Sequence, residues 1–158
     1  DVWKTSARRY GVLYPMQTFS KLRKMDFTSV SFFVEASGRE ELVLLKELAL
    51  LLSPKVYEAN SEQRRYLHLA AVFACNFTNH MYALSASLLE KQGLPFDAML
   101  PLIDETARKV HELPPAQAQT GPAIRRDKNV MDKHLSMLLE EPSMKEIYEK
   151  ISKNIQEL

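Results

Sequence analysis

YLHLAAVFACNFTNHMYAL, residues 66–84, reads as a long apolar helix that carries His68, Asn76, Asn79 and His80. At about 100° per residue, Asn79, Val72, Asn76 and His80 fall within about 120° of His68, so the four polar side chains share one face. Leu67, Ala70, Ala71, Phe73, Ala74, Cys75, Phe77, Met81, Tyr82 and Leu84 fill the remainder, which predicts a helix buried nearly all round. Buried imidazoles and amides cost about 1–3 kcal/mol each unless partnered. Two readings stand: core histidines satisfied locally, or a polar cleft against this face. His68 and His80 lie about 18 Å apart along the axis, too far to share a metal. Neither HExxH nor a cysteine pair occurs, so no metal site is expected.

Working outward, the helix extends from Ser61 to about Gln92, with Gly93 as its terminator. Pro95 opens a second helix, about Phe96 to Leu113, which Pro101 is expected to kink. Pro114 and Pro115 end it, and residues 116–127 read as a loop. A helix from about Asn129 to Glu140 follows, and Pro142 opens the last, where Met144, Ile147, Tyr148, Ile151 and Ile155 recur at helical spacing.

Before Ser61 the pattern differs. GVLY (Gly11 to Tyr14) and SVSFFVEA (Ser29 to Ala36) read as strands joined by a polar connection that Pro15 opens. Ser37 or Gly38 caps a helix from about Arg39 to Leu52, with Leu42, Leu45, Leu48 and Leu52 on one face, and Lys55 to Ala59 is a third short strand. Three strands and one helix cannot cover both faces of a sheet, so this segment reads as the last part of an α/β domain. The expected fold is therefore mainly α: residues 1–60 as the remainder of an α/β domain, and residues 61–158 as an all-helical domain.

Composition narrows the function classes. With 46% hydrophobic and 26% charged residues the chain reads as a soluble globular protein. Lys+Arg of 21 against Asp+Glu of 20 leaves no electrostatic footprint for nucleic acid or an anionic membrane, although Arg8, Arg9, Lys21, Arg23 and Lys24 are locally basic. No membrane span is visible. The single cysteine, Cys75, reads as a small buried hydrophobe in a reducing, cytoplasmic protein.

Two further segments carry polar groups suited to a ligand. YPMQTFS (Tyr14 to Ser20) brings Gln17 and Thr18 to a strand's C-terminal end, where open α/β sheets bind ligands. TGPAIRRD (Thr120 to Asp127) offers a hydroxyl and the Arg125 fork to a carboxylate or phosphate. The chain has no GxGxxG of its own.

GVLYPMQTFS, SEQRRYLHLAAVFACNFTNHMYAL, LPLIDETARKVHEL and TGPAIRRD, taken together and in this order, resemble a bacterial family of NAD(P)-binding oxidoreductases. Its members pair a Rossmann-like N-terminal domain with a C-terminal helical domain of unknown function. The family is similar to pyrroline-5-carboxylate reductases and to 6-phosphogluconate dehydrogenases, whose C-terminal helical domain dimerises. The resemblance implies that this chain is a C-terminal fragment, that NAD or NADP serves the full-length protein, and that the fragment alone binds none and is inactive. It implies His68, Asn76 and His80 as catalytic groups, Gln17, Thr18 and Asn79 as substrate contacts, Thr120 and Arg125 as anchors for an anionic part of the substrate, and Pro15 on the cofactor side. In the related dehydrogenases the long helix carries a lysine and an asparagine four residues apart, where this chain has Val72 and Asn76. His68 or His80 would then stand in as acid/base, since imidazole titrates near neutral pH. A small-molecule substrate and a homodimer through the helical domain are the expected partners. The alternative is a non-catalytic binding or regulatory protein that kept the fold.

Overall fold

Alternation along β2 (Ser31–Ala36) turns Phe32 and Val34 to one face, where both are buried together with Val30 just before the strand. In the computed structural model, which describes residues 5–21 and 24–158, β2 is the central strand of a three-stranded sheet. Arg23 of the basic stretch lies outside the described residues. Strand β1 (Gly11–Met16) runs antiparallel to β2, with Gly11 opposite Ala36 and Met16 opposite Ser31. Strand β3 (Val56–Glu58) runs parallel to β2, with Phe32 opposite Val56. Helix α1 (Arg39–Leu50) makes the crossover that a parallel pair requires. It closes the core with the fully buried Ala49, and Leu13, Met25, Phe27, Leu42, Leu45 and Val56 pack around. The buried Ser53 hydroxyl donates to the Thr28 carbonyl and accepts from the Lys55 amide, each at 3.2 Å.

Two local expectations are corrected here. The first strand continues through Pro15 to Met16. Among the described residues β1 is an edge strand, where a proline's missing N–H is tolerated. On α1, Leu48 and Leu52 are 47% and 39% exposed rather than inward. The Leu42 to Ala49 line sits about 100° round the axis from Leu48, and Leu52 lies past the helix end.

The long helix is built in three parts. Helix α2 (Ser61–Ala71) starts from a capping box: the Asn60 side chain accepts from the Gln63 amide at 2.8 Å, and the Gln63 side chain accepts from the Asn60 amide at 2.9 Å. A π-helical segment, Val72–Phe77, interrupts it before α3 (Thr78–Glu90). A uniform 100° spacing therefore does not hold across the segment, because each i→i+5 bond takes an extra residue into the turn. Gly93 ends the helix in the left-handed region at φ 67°, with the Leu94 amide donating to the Leu89 carbonyl at 2.9 Å.

The expectation of all-round burial is overturned. No residue from 61 to 90 is buried, and Tyr66, Leu69, Phe73 and Phe77 are 67%, 51%, 62% and 49% exposed. Cys75, expected inside, is exposed. The physical reason is a shortage of cover, since among the described residues no element packs over that side.

The chain divides into two compact units, Asp1–His80 and Met81–Leu158. In the second, a 3₁₀ turn (Phe96–Met99) precedes α4 (Leu100–Glu112). Pro101 stands in the first turn of α4, where its missing N–H breaks no helical bond, and not at an interior kink. The expected loop begins with a short helix, α5 (Pro115–Ala118), before turning at Gly121 (φ 105°). Asp127 caps α6 (Lys128–Met137) by accepting from the Val130 amide at 3.2 Å. Pro142 opens α7 (Pro142–Gln156). His134 Nδ1 lies 2.9 Å from the Tyr148 hydroxyl, so a polar contact ties α6 to α7.

Candidate functional site

Two cavities in the first unit meet at Tyr14 and His68. One, of about 370 Å³, is lined by Tyr14, Met16, Gln17, Thr18 and Phe19 at the end of β1, and by His68, Ala71, Cys75 and Asn76 on the helix. The other, of about 600 Å³, is lined by Tyr14, Ser61, Arg64, Arg65 and His68. Both volumes lie in the range of small-molecule sites.

Local chemistry explains the positions. Ending β1 at Met16 sets Gln17 and Thr18 in the turn that follows, where the Gln17 side-chain oxygen accepts from the Thr18 amide at 2.9 Å. Across from them, α2 is anchored by its first turn. Arg64 donates to the Glu35 carboxylate at the end of β2 and to the Ala59 carbonyl at 2.8 Å, and its second nitrogen lies 3.0 Å from the Ser61 hydroxyl. Ser61 also donates to Glu35 at 2.9 Å. Burial pushes the Glu35 carboxyl up, but hydrogen bonds from Arg64 and Ser61 and the Arg64 charge outweigh it, leaving the group below its ordinary value.

The residues singled out from the sequence distribute as follows. Gln17, Thr18, His68 and Asn76 line one cavity. Pro15 lies in β1 between Tyr14 and Met16, whose side chains line that cavity while its own does not. Asn79 and His80 are exposed and line neither cavity. They lie 11 and 12 residues past His68, across the π-helical segment. In the second unit, Thr120 borders a separate apolar cavity of about 370 Å³ with Leu84, Leu138, Met144 and Ile147. Arg125 is exposed there and lines none of the described cavities.

Sequence reasoning missed Tyr14, Arg64, Arg65 and Cys75 as lining groups. A signal was present: Ser61, Arg64, Arg65 and His68 recur at i, i+3, i+4 and i+7, one helical face. Among the described residues no group of three His, Cys, Asp or Glu side chains could hold a metal ion, and no helix is long and apolar enough to cross a membrane.

The smaller cavity is lined by His68 and Asn76 from the helix and by Gln17 and Thr18 from the turn after β1. That set can orient a polar small molecule and move a proton to or from it.

The model of a family defined by a domain of unknown function, DUF2520, matches residues 30–155. Among solved structures, the chain is similar to a putative NADP oxidoreductase, BF3122 from Bacteroides fragilis: 62% identical over 99% of this chain, with a TM-score of 0.95. It is also similar to protein TM1727 from Thermotoga maritima, 26% identical over 93% of this chain, with a TM-score of 0.76. The chain spans 61% and 60% of the lengths of those two proteins. No curated protein matches it.

Proposed function

The chain belongs to the DUF2520 family, and from that membership we propose that it is the C-terminal part of an NAD(P)-dependent oxidoreductase, forming the substrate side of that enzyme's active site. The observation that carries the reading is the convergence of Gln17, Thr18, His68 and Asn76 on one cavity at the end of β1. The similarity to the putative NADP oxidoreductase BF3122 of Bacteroides fragilis supports it. On this reading residues 1–60 complete a Rossmann-like domain, and residues 61–158 resemble the C-terminal helical domain of 6-phosphogluconate dehydrogenases.

A nicotinamide supplies hydride chemistry when bound. This chain carries no glycine-rich phosphate loop, and the amide of Gln17 and the hydroxyl of Thr18 are the donor and acceptor types that suit a polar substrate. The remaining work falls to the chain's own groups. Asn76 hydrogen-bonds and orients the reacting oxygen or nitrogen of the substrate, and His68 gives or takes the accompanying proton. Asn79 and His80 extend the polar face beyond the cavity.

The test is turnover of NADPH or NADH by the full-length protein against carbonyl, imine and hydroxy-acid compounds. His68→Ala and Asn76→Ala should each lower kcat by about 100-fold or more while leaving cofactor affinity unchanged. A full-length protein without nicotinamide-dependent turnover, or variants as active as the parent, would sink the reading. One observation favours a second reading, a binding or regulatory protein without chemistry. Val72 stands where the related dehydrogenases carry a lysine, and under that reading cofactor stabilises the full-length protein without any turnover.

The exposed row Tyr66, Leu69, Phe73 and Phe77 supports a homodimer through this helix. A second copy would remove from water the apolar surface that this chain leaves uncovered.

A further inference from the structure

The larger cavity holds cationic groups that the proton-transfer scheme leaves unused. Of its two arginines, Arg64 is committed: Glu35, Ala59 and Ser61 take its donors, and its side chain is only 14% exposed. Arg65, one residue on, is exposed and makes no ion pair among the described residues. Among the described residues no carboxylate lines the cavity. Glu35 is bound to Arg64. Glu62 borders a different opening that Arg65 shares with Tyr66 and Leu69, and it makes no bond to Arg65.

We propose that Arg65, with the Tyr14 hydroxyl and His68, forms a recognition site for an oxyanion, a carboxylate or a phosphate, carried by the molecule that enters the adjoining cavity. The assignment of that molecule as substrate rests on the oxidoreductase reading above. A guanidinium fork presents parallel N–H donors that match two oxygens of such a group. A phenol and an imidazole add single hydrogen bonds from the side. Because Tyr14 and His68 line both cavities, an anion held at Arg65 would leave the rest of its molecule beside Asn76, Gln17 and Thr18. The substrate class that follows is a small acid with a reducible or oxidisable centre a few bonds from its charged end. The anion is thereby recognised within the first unit.

The experiment follows the ring resonances of His68 and Tyr14 by NMR in the full-length protein during titration with inorganic phosphate, malonate and NADPH. Both small anions should shift both rings, and Arg65→Gln should weaken their binding by about tenfold or more, the loss typical of a charged hydrogen-bonded pair. Arg65→Lys should recover part of it. Arg108→Gln, an exposed arginine of the second unit, should bind as the parent does. Weakening of both small anions with NADPH binding unchanged assigns the anion to the substrate, and weakening shared by NADPH assigns it to the cofactor. Unchanged titration in Arg65→Gln, or equal weakening by Arg108→Gln, overturns the site. An intact anion titration without any nicotinamide-dependent turnover instead sinks the oxidoreductase reading and leaves the anion site standing.

Discussion

The Arg64 guanidinium, on the first turn of α2, is bound to the Glu35 carboxylate at the end of β2. One ion pair thus docks the helix that carries His68 and Asn76 onto the sheet that carries Tyr14. It also takes Arg64 out of service as a ligand, leaving Arg65 as the available cation.

That pair makes stability pH-dependent in a defined direction. The Glu35 carboxyl lies below its ordinary value of 4.5 in the folded chain, so the unfolded chain binds the proton more readily. The stabilisation is fully present above about pH 4.5 and is lost as pH falls through the lower, folded value. Urea midpoints taken between pH 7 and pH 3 should therefore fall more steeply in the parent than in Glu35→Gln. Parallel slopes would show that the pair contributes nothing.

Phe73 and Phe77 stack edge to face, with ring centroids 5.0 Å apart, while both remain about half exposed or more. If a second copy covers them, the chain sediments as a dimer and Phe73→Glu or Leu69→Glu shifts it to monomer. Both positions are on the surface, so the helix should survive the change, as far-UV circular dichroism would report. A monomeric parent at tens of micromolar would rule the interface out.

Phe32 is 2% exposed at the centre of the sheet core, whereas Leu51 is 83% exposed. Phe32→Ala should cost about 3–5 kcal/mol, the transfer term plus an unfilled cavity. Leu51→Ala should stay within about 0.5 kcal/mol. Denaturant unfolding monitored in parallel separates the two, and similar losses would mean that the core is misassigned.

Gly93 holds φ at 67° with open space where a Cβ would stand. Gly93→Ala should therefore cost about 1–2 kcal/mol through backbone strain alone, and Gly93→Asn less, because asparagine tolerates the left-handed region. Thermal denaturation of the two variants tests this ordering.

What the sequence determined by itself is what short-range chemistry controls. The β-branched and aromatic run from Ser29 to Ala36, the glycine at 93, and Pro142 at a helix start each act within a few residues, and the strand, the helix end and the helix start are found there. The meeting of His68 and Asn76 with Gln17 and Thr18 was suggested by chemistry, but only folding brings residues fifty positions apart to one cavity. The tertiary structure alone decided the rest. It inserted a π segment at Val72–Phe77, put Pro101 in a first turn, and left the apolar side of the long helix uncovered. It also spent Arg64 on Glu35 and not Arg65, two adjacent arginines that no local pattern distinguishes. Burial and pairing depend on which surfaces arrive opposite one another, and that is a property of the whole packed chain, not of any window along it.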